Sequence, residues 1–197
     1  MKTGCAYNLI QEAFSRTYSL VSGQDAYPLN SLLLREQHRF APATVLDVGC
    51  GSGRFVLSGC EYVGVDPNPK YIAYCRQNRV GRFEQMSGAH LDFPDRSFAL
   101  ILCFSVGHHV PDEALHRVFS EIRRVLAADG VFLFADVIRP IVTWRWAARL
   151  LEWLDEGESF RTETEYLDML TTHFVISQRE ELVDQFYRTV VFRCRKA

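Results

Sequence analysis

The sequence predicts a doubly wound α/β domain, and three observations carry that prediction. Short apolar runs alternate with helical stretches between residues 44 and 138. Two of the runs, "FALILCFSV" and "VFLFADVI", are continuously apolar, as strands covered on both faces must be. A dense glycine turn follows the first run directly, where a ligand-binding βα turn would stand. Strands joined by helical crossovers pair in parallel, so the alternation implies a mostly parallel sheet with helices on both faces.

The elements follow in order. Residues 1–43 read as a polar helical arm, with Tyr7, Phe14 and Tyr18 at helical spacing, as core residues or as a cover for a bound ligand. "TVLDVG" is a short β-branched run and the first strand of the core, which spans residues 44–138. "EYVGVD" is the second, ending at Asp66 and broken by "PNPK". "KYIAYCRQNR" reads as a helix carrying Tyr71, Ile72 and Cys75 on one face. "PDEALHRVFSEIRRVLAADG" has Pro111 at its start, early acids, and Leu115, Val118, Phe119, Ile122, Val125 and Leu126 on one face. Gly130 is the expected stop. Residues 139–171 read as a helical insertion, a Trp-bearing helix and a second short helix, placed to act as a lid. Residues 172–197 read as two extended runs that close the sheet with an antiparallel pair.

Composition limits the function. At 197 residues the chain suits one domain, and its 48% apolar and 23% charged content is that of a globular protein. A net charge of −2 provides no general field for nucleic acid or an anionic membrane. Six scattered cysteines form no C-x-x-C pair and no zinc spacing, which reads as reduced thiols in a cytoplasmic protein without a metal site. The N-terminal stretch carries Glu12 where a secretory signal would be apolar, and no run approaches the ~20 residues of a membrane span.

The glycine turn narrows the ligand. "DVGCGSG" spaces Gly49, Gly51 and Gly53 at every second position behind Asp47. The dinucleotide pattern G-x-G-x-x-G is not completed from Gly49 or from Gly51, and the P-loop ending Gly-Lys-Ser/Thr is missing. An acid ahead of the glycines repels a pyrophosphate and suits an ammonium. Asp66, at the end of the next strand, stands where an acid grips ribose hydroxyls.

On these residues the sequence resembles the class I S-adenosylmethionine-dependent methyltransferases, particularly those with small-molecule substrates. "VLDVGCGSGRF" is similar to their first motif and "YVGVDPNPKYI" to their acidic-loop motif. "SGAHLDFPDRSFALILCFSVGHHV" and "EIRRVLAADGVFLFADV" are similar to the motifs that follow. The resemblance implies a Rossmann-like, mostly parallel seven-stranded sheet with an antiparallel C-terminal strand and a small helical lid, in one methyltransferase domain. It also implies S-adenosyl-L-methionine as cofactor, with its amino-acid part near Asp47, Gly49, Cys50, Gly51 and Gly53. Asp66 and Pro67 would lie at the ribose, Ser87, Gly88 and Ala89 at the adenine edge, and Cys103 nearby. Departures stand at Ser87, where the family often has an acid, at Asp92 in "LDF", and at Ala99 in "SFA".

The expected chemistry sits at strand ends. His108 and His109 follow one strand and Asp136 closes its neighbour, so a histidine and a carboxylate can share a crevice. Neutral histidine suits removal of a hydroxyl proton, and a carboxylate orients its ring. The expected activity is methyl transfer to a small molecule at a hydroxyl oxygen, with His108 as base, Asp136 as orienter, and His109 as a second candidate or a turn anchor. Two alternatives stand beside it: a noncatalytic S-adenosylmethionine-binding scaffold, and a lipid-like acceptor met at a membrane surface through Trp144, Trp146, Trp153 and the arginines around them.

Overall fold

The computed structural model describes residues 28–138, 159–183 and 188–196. The expectations for Tyr7, Phe14 and Tyr18 and for the Trp-bearing helix lie outside the described residues. Helix α1 (Pro28–Phe40) precedes β1 (Thr44–Val48) and β2 (Glu61–Asp66), and α2 (Pro69–Asn78) leads to β3 (Arg82–Gln85). Strand β4 (Phe98–Phe104) is followed by a 3₁₀ turn (Gly107–His109), α3 (Asp112–Val125) and β5 (Leu126–Val137). Then come α4 (Glu163–Thr171), β6 (Phe174–Val183) and β7 (Arg188–Lys196).

The seven strands form one sheet in the order β3-β2-β1-β4-β5-β7-β6. All pairings from β3 through β5 are parallel, whereas β7 lies antiparallel to both β5 and β6. The carboxyl ends of β1 and β4 are neighbours at the point where the strand order reverses, which is where open α/β sheets bind ligands.

Each inner strand alternates its side chains between two cores, the period-two consequence of strand geometry. Leu46, Val48, Ile101, Phe132 and Phe134 pack with Leu115, Phe119 and Ile122 of α3 and Tyr166 of α4. Val45, Leu100, Leu102 and Leu133 pack on the other face against Leu29, Leu32 and Leu33 of α1 and Ile72 and Cys75 of α2. Local signals start the helices. Asn68 caps α2, its side chain accepting from the Lys70 N–H at 3.0 Å, and a capping box of Thr162 and Glu165 opens α4.

Two local expectations are corrected. Helix α3 ends at Val125 rather than near Gly130, because Leu126 already has an extended backbone and pairs with Phe98 in the sheet. Gly130 serves close approach instead: a Cβ there would lie 2.7 Å from Leu126 Cδ1 and 3.1 Å from two backbone oxygens. Strand β3 has no counterpart among the runs read from sequence, since its four residues bury only Phe83.

Helix α1 is tied to β7 by a buried ion pair, Arg193 Nε to Glu36 Oε2 at 3.0 Å. Removing one partner from such a pair strands a charge in the interior and costs about 3–5 kcal/mol, whereas replacing both by apolar residues is often neutral. Urea titration should therefore show R193M losing stability on that scale and the E36L/R193M double variant recovering most of it.

Candidate active site

The turn after β1 is built by backbone hydrogen bonds to β2. The Gly49 and Cys50 N–H groups donate to the Val65 carbonyl at 2.8 and 3.0 Å. The Gly51 N–H donates to Asp66 Oδ2 at 3.0 Å, and the Asn68 N–H to Asp66 Oδ1 at 2.8 Å. Each Asp66 oxygen thus holds one backbone group and keeps lone-pair capacity for another donor. Gly49 and Gly51 both have left-handed backbones, with φ of +76° and +49°. Their surroundings differ. A Cβ on Gly49 would stand 2.3 Å from Val106 Cγ2, while one on Gly51 would meet nothing within 4 Å. Gly49 is required by packing, and Gly51 presents an open backbone face beside Asp66.

Below the turn the remaining predicted cofactor residues divide into packing and surface groups. Cys50 and Cys103 are buried, Cys103 completely, and burial pushes both thiols up. Gly53 faces Cys75 and Arg79, where a Cβ would come within 2.9 Å of Arg79 Cγ. Pro67 is exposed, and its carbonyl accepts from Gln85 Nε2 at 3.3 Å. The segment from Ser87 to Ala89 is a turn in which Ser87 Oγ accepts from the Ala89 N–H at 3.3 Å. It packs against β1, since a Cβ on Gly88 would lie 2.7 Å from Val48 Cγ1. The Met86 N–H donates to the Asp66 carbonyl at 3.2 Å, so this turn starts beside the acidic strand end.

Asp47 has a different setting. It points away from the Leu46 and Val48 face and is almost wholly buried, with the Tyr62 hydroxyl donating to Oδ2 at 2.6 Å. Burial pushes its carboxyl up to about 7; the Tyr62 hydrogen bond opposes that shift and the charge of Asp66 adds to it. A buried acid poised there gains from a nearby cation.

On the other side of the crevice, His108 and Asp136 meet. Asp136 is fully buried near the end of β5. Its Oδ1 lies 2.5 Å from His108 Nδ1 and accepts from the Val137 N–H at 2.8 Å. Its Oδ2 accepts from the His108 N–H at 3.3 Å. Gly107 makes this approach possible, because a Cβ there would stand 2.8 Å from Asp136 Oδ2. Ser105, which ends the strand exit, has a left-handed φ of +56°, and its N–H reaches across to the Ala135 carbonyl at 2.8 Å. His109 is exposed, with its ring centroid 3.9 Å from that of His108.

Three residues of this site have no sequence expectation. Phe160 stacks on the His108 ring, with centroids 5.2 Å apart and planes 12° from parallel. Arg161, buried, donates to the Gly107 carbonyl at 2.6 Å, the Val110 carbonyl at 2.7 Å and the Ser159 carbonyl at 3.1 Å, and pairs with Asp112. It fastens the turn that carries His108. Tyr166 lies below, its hydroxyl buried without a hydrogen-bond partner of good geometry among the described residues and its ring 5.5 Å from the Arg161 guanidinium carbon. These residues come from the "SFRTETEY" stretch, whose local pattern announces only a helix start.

Comparison with known proteins sets the chain beside methyltransferases. Residues 46–134 match the family described as a methyltransferase domain. Over that stretch the chain is similar to methyltransferase domains. The methyltransferase YcgJ of Bacillus subtilis, uncharacterized by its name, is 34% identical over 116 residues, covering 54% of this chain and 43% of that protein. A Mycobacterium methyltransferase is 40% identical over 100 residues, covering 48% and 39%. The matches thus span about two fifths of the length of these curated relatives. Among solved structures, the magnesium protoporphyrin IX methyltransferase of Synechocystis with bound S-adenosylhomocysteine superimposes with a TM-score of 0.70 at 17% identity, covering 90% of this chain and 84% of that one. The N-methyltransferase NodS of Bradyrhizobium japonicum, also with bound S-adenosylhomocysteine, gives 0.70 at 16% identity, with 87% of each chain covered.

The residues of this crevice fit S-adenosyl-L-methionine, the cofactor the resemblance implies: an open glycine backbone, a carboxylate with spare acceptor capacity and a second, buried carboxyl that would gain from a cation. The second carboxyl also sets a pH dependence. Because the folded-state pKa of Asp47 lies above its ordinary 3.8, the folded protein holds the proton longer than the unfolded chain. Its favourable contribution is full below about pH 4 and is lost as pH rises through about 7, a change on the order of 4 kcal/mol. Chemical denaturation without cofactor should show wild-type stability falling across that window and D47N showing a shallower decline.

Proposed function

We propose that this chain transfers a methyl group from S-adenosyl-L-methionine to a small-molecule acceptor at a hydroxyl oxygen. The observation that carries the reading is the 2.5 Å contact between His108 Nδ1 and the buried Asp136 carboxylate. When bound, the cofactor supplies an electrophilic methyl group on a sulfonium, open to in-line displacement. All other contributions come from the chain. Asp66 accepts the ribose hydroxyls with the lone pairs that Gly51 and Asn68 leave, and Asp47 answers the ammonium. The turn from Ser87 to Ala89 borders the adenine.

Asp136 fixes the His108 tautomer by accepting a hydrogen bond from Nδ1–H, which makes Nε2 the nitrogen that acts as base. As Nε2 takes the acceptor's proton, the Asp136 carboxylate stabilises the resulting imidazolium. Phe160 covers one face of the ring and limits its motion, and Arg161 holds the carrying turn in place. Holding acceptor and methyl donor in line supplies much of the rate in such displacements. Relatives of this fold are named for unlike acceptors, a porphyrin and a nitrogen among them, so the choice of oxygen rests on the His108–Asp136 pair rather than on the fold.

Calorimetry with S-adenosylhomocysteine and turnover across a panel of small hydroxyl acceptors test the proposal. Wild-type protein should bind the product, and D66A should bind it at least tenfold more weakly. H108A should keep that affinity and lose about 10²–10⁴-fold in turnover, the range of a general base. An H108A variant with full turnover contradicts the base assignment, and wild-type protein that binds no S-adenosylhomocysteine contradicts the whole reading.

A further inference from the structure

We propose that the chain carries a second ligand site, for a phosphate-class oxyanion, at the end of the sheet opposite the cofactor crevice. A cleft of about 440 Å³ opens there, lined by Arg96, Arg123 and Lys196 together with Ser120 and His173. The topology brings these residues together. Arg96 precedes β4, Ser120 and Arg123 lie in the last turns of α3 ahead of β5, His173 precedes β6, and Lys196 ends the antiparallel β7. All stand at the edge of the sheet where the parallel strands begin, whereas Asp66, His108 and Asp136 lie where they end.

The cleft is short of negative charge. Its lining holds one carboxylate, Asp95, and Oδ1 of that carboxylate is taken by Arg124 at 2.8 Å. Arg124 is itself saturated, donating also to Glu121 and to the Phe93 and Leu91 carbonyls. Among the described residues, Arg96, Arg123 and Lys196 have no ion-pair partner of their own. The crowding acts on its neighbours: burial, then Arg96 and Arg123, hold the Lys196 ammonium below its ordinary pKa. Burial, His116 and Arg123 do the same to His173. Arg96 moreover stands at a φ of +58°, a backbone conformation that glycine or asparagine adopts at less cost.

Three cations around a cleft of this size match a multiply charged oxyanion, with guanidinium groups suited to bidentate contact. The volume admits a diphosphate or a phosphorylated small molecule. A phosphorylated lipid headgroup offers the same chemistry, and the test separates the two sources. The inference is independent of the methyltransferase reading, because its residues share no element end with the crevice.

Inorganic pyrophosphate is the probe, titrated by calorimetry at pH 7.5 with ionic strength held constant by sodium chloride. Saturable binding is expected, weakened at least tenfold in R96A/R123A, whose two side chains are exposed and leave the core intact. Unliganded melting should be unchanged in that variant, and R117A, on the same helix but outside the cleft, should bind like wild type. Co-sedimentation with phosphatidic acid vesicles against phosphatidylcholine vesicles supplies the second arm. Pyrophosphate binding without sedimentation assigns a soluble phosphate, and arginine-dependent sedimentation without pyrophosphate binding assigns a headgroup. Absence of both, or binding that survives R96A/R123A, overturns the site.

Discussion

The bond between His108 and Asp136 organises the half of the crevice where chemistry is expected. A carboxylate with no exposure, at the buried end of a strand, is costly unless it is hydrogen-bonded. Asp136 meets that requirement with three donors, two from His108 and one from the Val137 backbone. Satisfying it draws the β4 exit turn onto β5, demands glycine at position 107 and leaves the histidine ring oriented. Arg161 then closes the arrangement from outside by occupying the carbonyls of the same turn. The site is consequently assembled by the needs of a buried charge, and its geometry does not wait for a ligand.

The three carboxylates of the crevice show how environment divides roles among like groups. Asp66 receives two backbone N–H groups and sits at the rim of the glycine turn. Asp47, on the adjacent strand, has a tyrosine hydroxyl and little else, and burial raises its carboxyl to about 7. Asp136 is committed to a histidine. In our proposal these settings correspond to a ribose, an ammonium and a base, the demands of a sulfonium methyl donor and a hydroxyl acceptor.

Much of the architecture is legible in the sequence because the inner strands are apolar on both faces. β1, β2, β4 and β5 stand out as runs, and α3 as a helix with five buried residues on one face. β3 escapes because an edge strand of four residues carries too little pattern. The early end of α3 escapes because Leu126 fits the helical face and the strand equally well, and only its pairing with Phe98 decides between them. In the site, the shared crevice of His108 and Asp136 follows from neighbouring strand ends, and the structure places Nδ1 against the carboxylate. The contributions of Phe160, Arg161 and Tyr166 do not follow, since they reach the site from about fifty residues downstream through tertiary contacts alone. Nor does the Tyr62 hydroxyl over Asp47, which needs the register of β1 against β2.

The most direct measurement is a crystal structure with S-adenosylhomocysteine bound. The account predicts the ribose hydroxyls within hydrogen-bonding distance of Asp66, the amino group on the Asp47 side of the turn, and the sulfur facing a cavity bordered by His108 Nε2. A product molecule seated elsewhere, or one whose sulfur faces away from His108, would contradict it.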